Sequence, residues 1–242
     1  MEIRQHYQAS RKRLLLLDYD GTLVDFTPDP ANARPTAAAL QILTELADDP
    51  PNTVAVVSGR DCQFMEGALG HLPIDLVAEH GLYIRRPGAD WRATAPLNQD
   101  WKPAVRRVLE AAQLPGSFIE EKSMGLVWHY RQCAPEAAQT AVKRLLTDLQ
   151  MLPDAGLKVM DGSKVIEVSA ADADKGRAAR GLLAEGDYDF VLAAGDDTTD
   201  EDLFQALPST AHKIKVGEPI LSANANVTDP AGLLELLRDL CH

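Results

Sequence analysis

Cysteine is scarce in this chain of 242 residues, and its count is odd: Cys62, Cys133 and Cys241. An odd number cannot form a complete disulfide framework, and these three lack metal-ligand spacing. Such usage fits a reducing, cytoplasmic setting. Cys241 stands next to last, which excludes a prenylation box. Long apolar runs are missing too. Nothing approaches the roughly 20 apolar residues of a membrane span, and Met1 to Arg13 is polar, without the apolar centre of a secretion signal. Positive charge is in deficit: 24 Lys and Arg face 36 Asp and Glu, for a net charge of −12. That balance argues against nucleic acid, which calls for a basic footprint, and against an anionic membrane surface. Internal repeats and low-complexity stretches are absent.

What is present is an ordinary globular composition, 45% hydrophobic and 25% charged, able to bury a sizeable core. At roughly 150 residues per domain the chain holds one or two domains. Its organising stretch is Leu14-Leu15-Leu16-Leu17-Asp18-Tyr19-Asp20-Gly21-Thr22-Leu23. A short apolar run bounded by turn residues predicts a strand buried on both faces, as in parallel sheets. Ligands of open α/β sheets sit beyond the carboxyl ends of the strands. Asp18 and Asp20, two apart, would share a face there. Their charges repel unless a cation lies between them or one is protonated. This suits a hard-metal site with a carboxylate nucleophile beside an acid/base carboxylate. Taken alone, the stretch is equally a strand ending in an Asp-Gly turn.

The rest of the chain alternates strands and helices. Prolines 28, 30 and 35 mark a loop, and Leu40, Leu43, Leu46 and Ala47 hold helical spacing. Thr53–Val57 predicts a strand ending in Ser58-Gly59-Arg60. Leu76–Ala78 predicts another, ending in Glu79-His80-Gly81, with a short extended piece over Leu82–Arg86. The pattern then changes. Asn98–Leu114 predicts a helix, Phe118–Lys122 and Leu126–Arg131 two strands, and Ala138 to Leu149 a helix. Leu157–Met160, a turn at Asp161-Gly162 and Val165–Val168 complete this part. From Ala170 the first pattern returns: a helix over Gly176–Ala184, strands at Phe190–Ala194 and Lys213–Val216, and a last helix holding Leu233, Leu237 and Leu240. The expected fold is α/β: a Rossmann-like parallel sheet with helices on both faces, residues 1–97 and 170–242. It is interrupted over 98–169 by an α+β module, helix-strand-strand twice.

In a parallel sheet these strand ends line one edge. Asp18, Asp20, Ser58, Lys175 at a helix start, Asp196 and Asp197 then form a carboxylate cluster with a hydroxyl and an ammonium. Metal-assisted phosphoryl transfer needs such a set. Each part has a plainer explanation. The Asp and Thr residues of Gly195–Asp202 suit helix capping, Ser58-Gly59-Arg60 suits a loop, and a lone lysine suits solvent.

Asp18-x-Asp20-Gly21-Thr22, Ser58-Gly59-Arg60, Lys175 and Gly195-Asp196-Asp197-x-x-Asp200 resemble the four motifs of haloacid-dehalogenase-like phosphatases. The inserted module lies between the second and third, as in the branch with a large α/β cap. Glu79-His80-Gly81, Glu120-x-Lys122, Trp128-His129-Tyr130-Arg131, Glu201 and Lys215-Val216-Gly217 extend the resemblance to the trehalose-6-phosphate phosphatase family. The resemblance covers nearly the whole chain. It implies that Asp18 forms an aspartyl-phosphate and that Asp20 protonates the leaving sugar oxygen and then activates water. It implies Mg2+ held by Asp18, the Asp20 carbonyl and Asp196, supported by Asp197 and Asp200. Ser58 and Lys175 would grip the phosphate. Arg60, His80, Glu120, Lys122, His129, Arg131 and Glu167 would bind substrate. It also raises association with a trehalose-6-phosphate synthase.

Residues two apart share a strand face, so Glu120 pairs with Lys122 and His129 with Arg131, while Leu126, Trp128 and Tyr130 point at the helices. Such a polar face is either solvated or a binding surface, and over a phosphatase core it would be the sugar-binding half. Connections near Leu97 and Ala170 would act as hinges for closure over the site. One departure stands out. The family pattern Gly-Lys-x-x-x-Glu is here Gly162-Ser163-Lys164-Val165-Ile166-Glu167. The lysine is one position late, and in a regular strand Lys164 and Glu167 face oppositely unless a bulge intervenes. Two other functions remain open: a phosphatase for sucrose phosphate or a mannosyl phosphoglycerate, and a non-catalytic regulatory domain of a trehalose synthase-like assembly.

Overall fold

The computed structural model describes every residue except Met1, Pro28, residues 95–98, Met124, residues 153–155, Ser163, residues 171–173 and His242. The chain forms two compact units, Met1–Ala95 with Asp174–His242, and Pro96–Ala173. In the first, α1 (Glu2–Ala9), β1 (Arg13–Leu17), α2 (Ala37–Asp48), β2 (Asn52–Val57), α3 (Cys62–Leu69), β3 (Asp75–Ala78), β4 (Tyr83–Arg85) and β5 (Arg92–Ala93) come in order. The second holds α4 (Lys102–Ala111), β6 (Phe118–Lys122), β7 (Gly125–His129), α5 (Pro135–Gln150), β8 (Leu157–Gly162) and β9 (Val165–Ala170). The first unit then resumes with α6 (Lys175–Leu183), β10 (Phe190–Gly195), α7 (Thr199–Gln205), β11 (His212–Val216), β12 (Ala225–Val227) and α8 (Pro230–Cys241).

The larger sheet runs β12-β11-β10-β1-β2-β3-β4-β5. Pairing is parallel from β12 to β3 and antiparallel from β3 to β5. The continuous leucine run has a direct physical reason. Leu15 and Leu17, with Val54 and Val56, pack under Ile42 and Leu46 of α2 and Leu233 and Leu237 of α8. Leu14 and Leu16, with Ala55 and Val57, pack on the opposite face against Ala179 and Leu182 of α6 and Leu203 and Phe204 of α7. With both faces covered, the four positions of β1 after Arg13, Leu14 to Leu17, are all apolar and buried. β1 lies centrally between β10 and β2. The strand order reverses there, which is where a crevice opens at the carboxyl edge of such sheets.

Several short elements escape the sequence pattern. β5 is two residues long, and α1 buries only Tyr7. The piece expected over Leu82–Arg86 is β4, which turns back antiparallel to β3.

The second unit is a four-stranded antiparallel sheet in the order β6-β7-β9-β8. Trp101, Val105 and Leu109, at the start of and along α4, and Leu145 and Leu149 of α5 cover Leu126, Trp128, Ile166 and Val168. The helix expected from Asn98 begins at Lys102, with Pro103 in its first turn, a position where the missing N–H costs nothing. Asn98 and the hinge position Leu97 lie outside the described residues. β7 ends at His129, so Arg131 stands in the following turn and the alternation pairing it with His129 stops short. β8 runs on through Asp161 to Gly162, which pairs with Val165. The turn expected at Asp161-Gly162 is therefore strand, and Lys164, just before Val165, takes a left-handed φ of 68°. Ser163 lies outside the described residues.

Candidate active site

Asp18 emerges at the end of β1, its N–H donating to the Ala194 carbonyl at 3.0 Å. It is only 4% exposed. Its Oδ1 accepts from Lys175 Nζ at 2.5 Å, and its Oδ2 accepts from Thr22 Oγ1 at 3.1 Å. The Thr22 hydroxyl is also 3.1 Å from Asp196 Oδ1, and with one hydrogen it serves one carboxylate at a time. Lys175 opens α6 directly after Asp174, whose carboxylate caps the helix by accepting the Arg177 N–H at 2.5 Å. Lys175 Nζ also donates to Asp200 Oδ1 at 2.8 Å. Asp200 is fully buried, and its other oxygen accepts the Asp197 N–H at 3.0 Å.

Carboxylate oxygens of Asp18, Asp196 and Asp200 lie within 4.8 Å of one another. Two of the three carboxylates, Asp18 and Asp200, share one ammonium, and the protonation balance reflects the crowding. Burial pushes the Asp18 carboxyl up to about 6, although Lys175 opposes the rise. Burial and then the Asp18 charge push Asp200 up to about 6. Asp196 is raised as well, first by burial. Burial alone would lower Lys175, yet the charges of Asp18 and Asp200 outweigh it and hold the ammonium above its ordinary range. The excess of hard oxygen donors fits a divalent hard cation. Asp18 and Asp196 border the open cleft, whereas Asp200 does not. Gly21 makes their approach possible: at φ 75°, a Cβ there would stand 2.2 Å from the Asp196 carboxylate.

Asp20 has a different partner. Arg60 grips it with two bonds, Nε to Oδ2 at 2.7 Å and Nη2 to Oδ1 at 2.6 Å. That contact, foremost, raises Arg60 above its ordinary value. Arg60 follows β2, and its N–H donates to the buried Ser58 Oγ at 3.1 Å. Glu79, His80 and Gly81 all have positive φ, at 48°, 56° and 104°. Three successive left-handed residues are strained for the two that carry side chains. The His80 and Glu79 N–H groups are tied to the Ser58 and Arg60 carbonyls, each at 2.9 Å. The His80 ring lies on Gly59, where a Cβ would come within 2.5 Å of it.

Asp18, Asp20, Ser58, Arg60, His80, Lys175, Asp196 and Asp197 thus border one cleft of about 360 Å³ in the first unit. Asp197 is placed apart from the carboxylate cluster. Its Oδ1 accepts from the Thr198 N–H at 2.6 Å. Three residues have no role assigned from sequence: Thr22, Phe26, an aromatic 72% exposed at the cleft, and Lys215. Buried Lys215 donates to the Asp196 carbonyl at 2.6 Å and holds the loop that carries Asp196. A lysine between Ile214 and Val216 in a buried strand was the available signal.

In the second unit, Glu120 lies opposite Val127, and Val127 opposite Glu167, so the two glutamates share one row of a sheet face. Lys122 Nζ reaches Glu167 at 3.2 Å and His129 Nε2 reaches Glu120 at 2.8 Å. Phe118 stacks on His129 at 4.3 Å. Arg131 is in the turn beyond β7.

Residues 16–241 match the model of a family described as trehalose-phosphatase. The bifunctional trehalose-6-phosphate synthase/phosphatase of Thermoproteus tenax is 42% identical over 242 residues, which cover 99% of this chain and 33% of that protein. The trehalose-phosphatase of Schizosaccharomyces pombe is 34% identical over 256 residues, covering 98% of this chain and 31% of that one. The chain therefore spans about a third of the length of these curated relatives. The solved structure of Aspergillus fumigatus trehalose-6-phosphate phosphatase superposes with a TM-score of 0.81 at 33% identity, covering 99% of this chain and 96% of that chain.

Proposed function

The chain belongs to the trehalose-phosphatase family, and on that premise we propose that it is a Mg2+-dependent phosphatase releasing inorganic phosphate from trehalose 6-phosphate. One observation carries this: Asp18 is held by Lys175 beside Asp196, while Asp20, two residues on, is held separately by Arg60. Two carboxylates of one turn thus have different partners, as a nucleophile and a proton carrier require.

In this reading an Asp18 oxygen bonds to phosphorus while the P–O bond to the sugar breaks. The departing oxygen keeps the bonding pair and takes the proton of the Asp20 carboxyl. Asp20, now a carboxylate, takes a proton from water, whose oxygen attacks phosphorus and frees Asp18. Lys175 and Ser58 hold the phosphoryl oxygens, and Arg60 and His80 face the substrate from the same cleft. Asp18, Asp196 and the Asp20 carbonyl would hold Mg2+, with Asp197 and Asp200 supporting. Bound there, the cation offsets the charge that carboxylates and phosphate accumulate.

The sugar is selected by Glu120, Lys122, His129, Arg131 and Glu167 of the unit Pro96–Ala173. Their paired carboxylates and cations match the donor and acceptor hydroxyls of a disaccharide. The synthase part named in the Thermoproteus tenax relative supports association of this chain with a trehalose-6-phosphate synthase. Rapid quenching in acid during turnover, which traps one phosphate per chain, tests the covalent step. Trapping in wild type and none in Asp18→Asn is the expected result.

A further inference from the structure

One aromatic ring touches both Arg60, which holds Asp20, and Tyr19, which precedes it in the chain. Phe64 lies in the first turn of α3, where the Asp61 carboxylate caps the helix by accepting the Phe64 N–H at 2.7 Å. That bond fixes Phe64 relative to the end of β2. Its ring lies 4.3 Å from the Arg60 guanidinium carbon. It also meets Tyr19, the residue joining Asp18 to Asp20, edge-on at 5.6 Å and 86°. Tyr19 is fully buried and donates its hydroxyl to the Ala33 carbonyl at 2.8 Å.

The Arg60–Asp20 pair needs such a support. Its side chains are 21% and 26% exposed, so burial does not hold them. Partly solvated ion pairs gain little and lose side-chain entropy when fixed. A guanidinium lying over an aromatic face is attracted to the ring and restricted in plane. Its two parallel N–H bonds pass that plane on to the carboxylate.

We propose that Phe64 is a positioning residue for proton transfer by Asp20: its ring sets the plane of Arg60, and Arg60 sets the direction of the Asp20 carboxyl. The inference rests on the reading that Asp20 serves the leaving group. When Asp20 carries the proton, Arg60 keeps one N–H on the unprotonated oxygen. The P–O bond then breaks with its electron pair on the alkoxide oxygen, which takes that proton.

The test is leaving-group dependence, using the full chain with Mg2+. Trehalose 6-phosphate departs as an alkoxide and needs a proton, whereas 2,4-dinitrophenyl phosphate departs as a stable phenolate and does not. The readout is the ratio of kcat/KM for the two substrates. It covers steps only through formation of the aspartyl-phosphate, so later hydrolysis does not enter. Phe64→Leu and Phe64→Met both lack a π face, and using two keeps the test intact if one fails to fold. Each is expected to lower the ratio by about tenfold, and Phe64→Tyr to restore it within about twofold. Equal losses on both substrates, no loss, or a Tyr variant as poor as Leu would overturn the inference. If wild type does not act on trehalose 6-phosphate, the substrate reading fails separately and the ratio is taken with glucose 6-phosphate. A wild type that cleaves aryl but no alkyl phosphates overturns both.

Discussion

Lys175 joins Asp18 to Asp200: one buried ammonium donates to both carboxylates, at 2.5 and 2.8 Å. The two acids are raised by burial, first of all, to about 6 each, and the Lys175 ammonium opposes that rise in both. Asp200, which does not border the cleft, thus fixes Lys175, which borders it together with Asp18. Asp200→Ala removes one partner of a buried ion pair and orphans the Asp197 N–H. It should cost about 2–3 kcal/mol of stability, read by denaturant unfolding. A change under about 0.5 kcal/mol would show that the contact is incidental.

Asp18→Asn keeps the size of the side chain and its contact with Thr22 but removes the anionic oxygen. Turnover is expected to fall by at least about a thousandfold. Circular dichroism and the melting temperature should remain near those of wild type. Near-normal phosphate release by this variant would refute the nucleophile assignment.

The raised carboxyls fix the sign of the pH dependence. Unfolded aspartates titrate near 4, and Asp18 and Asp200 in the fold near 6. Between those values the folded protein holds protons that the unfolded chain has released. Without metal, these groups therefore make stability fall as pH rises through that window and level off above it. A cation competes with the same protons, so the gain in melting temperature on adding Mg2+ should be small at pH 5 and larger at pH 7. A gain that is equal at both values would contradict this.

Much of this arrangement was legible because it depends on local pattern. The leucine run gave β1 and put Asp18 at its end, and Lys175 stood at a helix start after a capping aspartate. These positions and Ser58, Asp20 and Asp196 do border one cleft. What stayed hidden depends on contacts distant in sequence. Nothing in Ser58-Gly59-Arg60 says that Arg60 binds Asp20, 40 positions away, rather than solvent. Thr22 looked like a turn residue, and Phe64 like one apolar residue among many. Arg131 was misplaced because alternation continues in sequence past His129, where the ladder to β9 ends at Val165. A turn is expected at Asp161-Gly162 because that pair carries strong turn chemistry, yet both residues pair with β9.

The glutamates of the second unit offer a separate test. Glu120 and Glu167 share a row on one sheet face, Glu120 bonded to His129 and Glu167 to Lys122. A polar contact to the right sugar that a wrong one leaves unpaired is worth about 1–3 kcal/mol. Glu120→Ala and Glu167→Ala should each lower kcat/KM for trehalose 6-phosphate by about 10- to 100-fold. Hydrolysis of a small aryl phosphate should change by less than about twofold. Equal losses on both substrates would make these residues supports of the fold rather than selectors.

The central claim is most directly tested by steady-state release of inorganic phosphate from a panel: trehalose 6-phosphate, sucrose 6-phosphate, glucose 6-phosphate and mannosyl phosphoglycerate, with Mg2+ and with excess chelator. The account predicts the highest kcat/KM for trehalose 6-phosphate, by at least about tenfold, with no release in chelator and recovery when Mg2+ is returned. Preference for another sugar phosphate, or full activity in excess chelator, would contradict it.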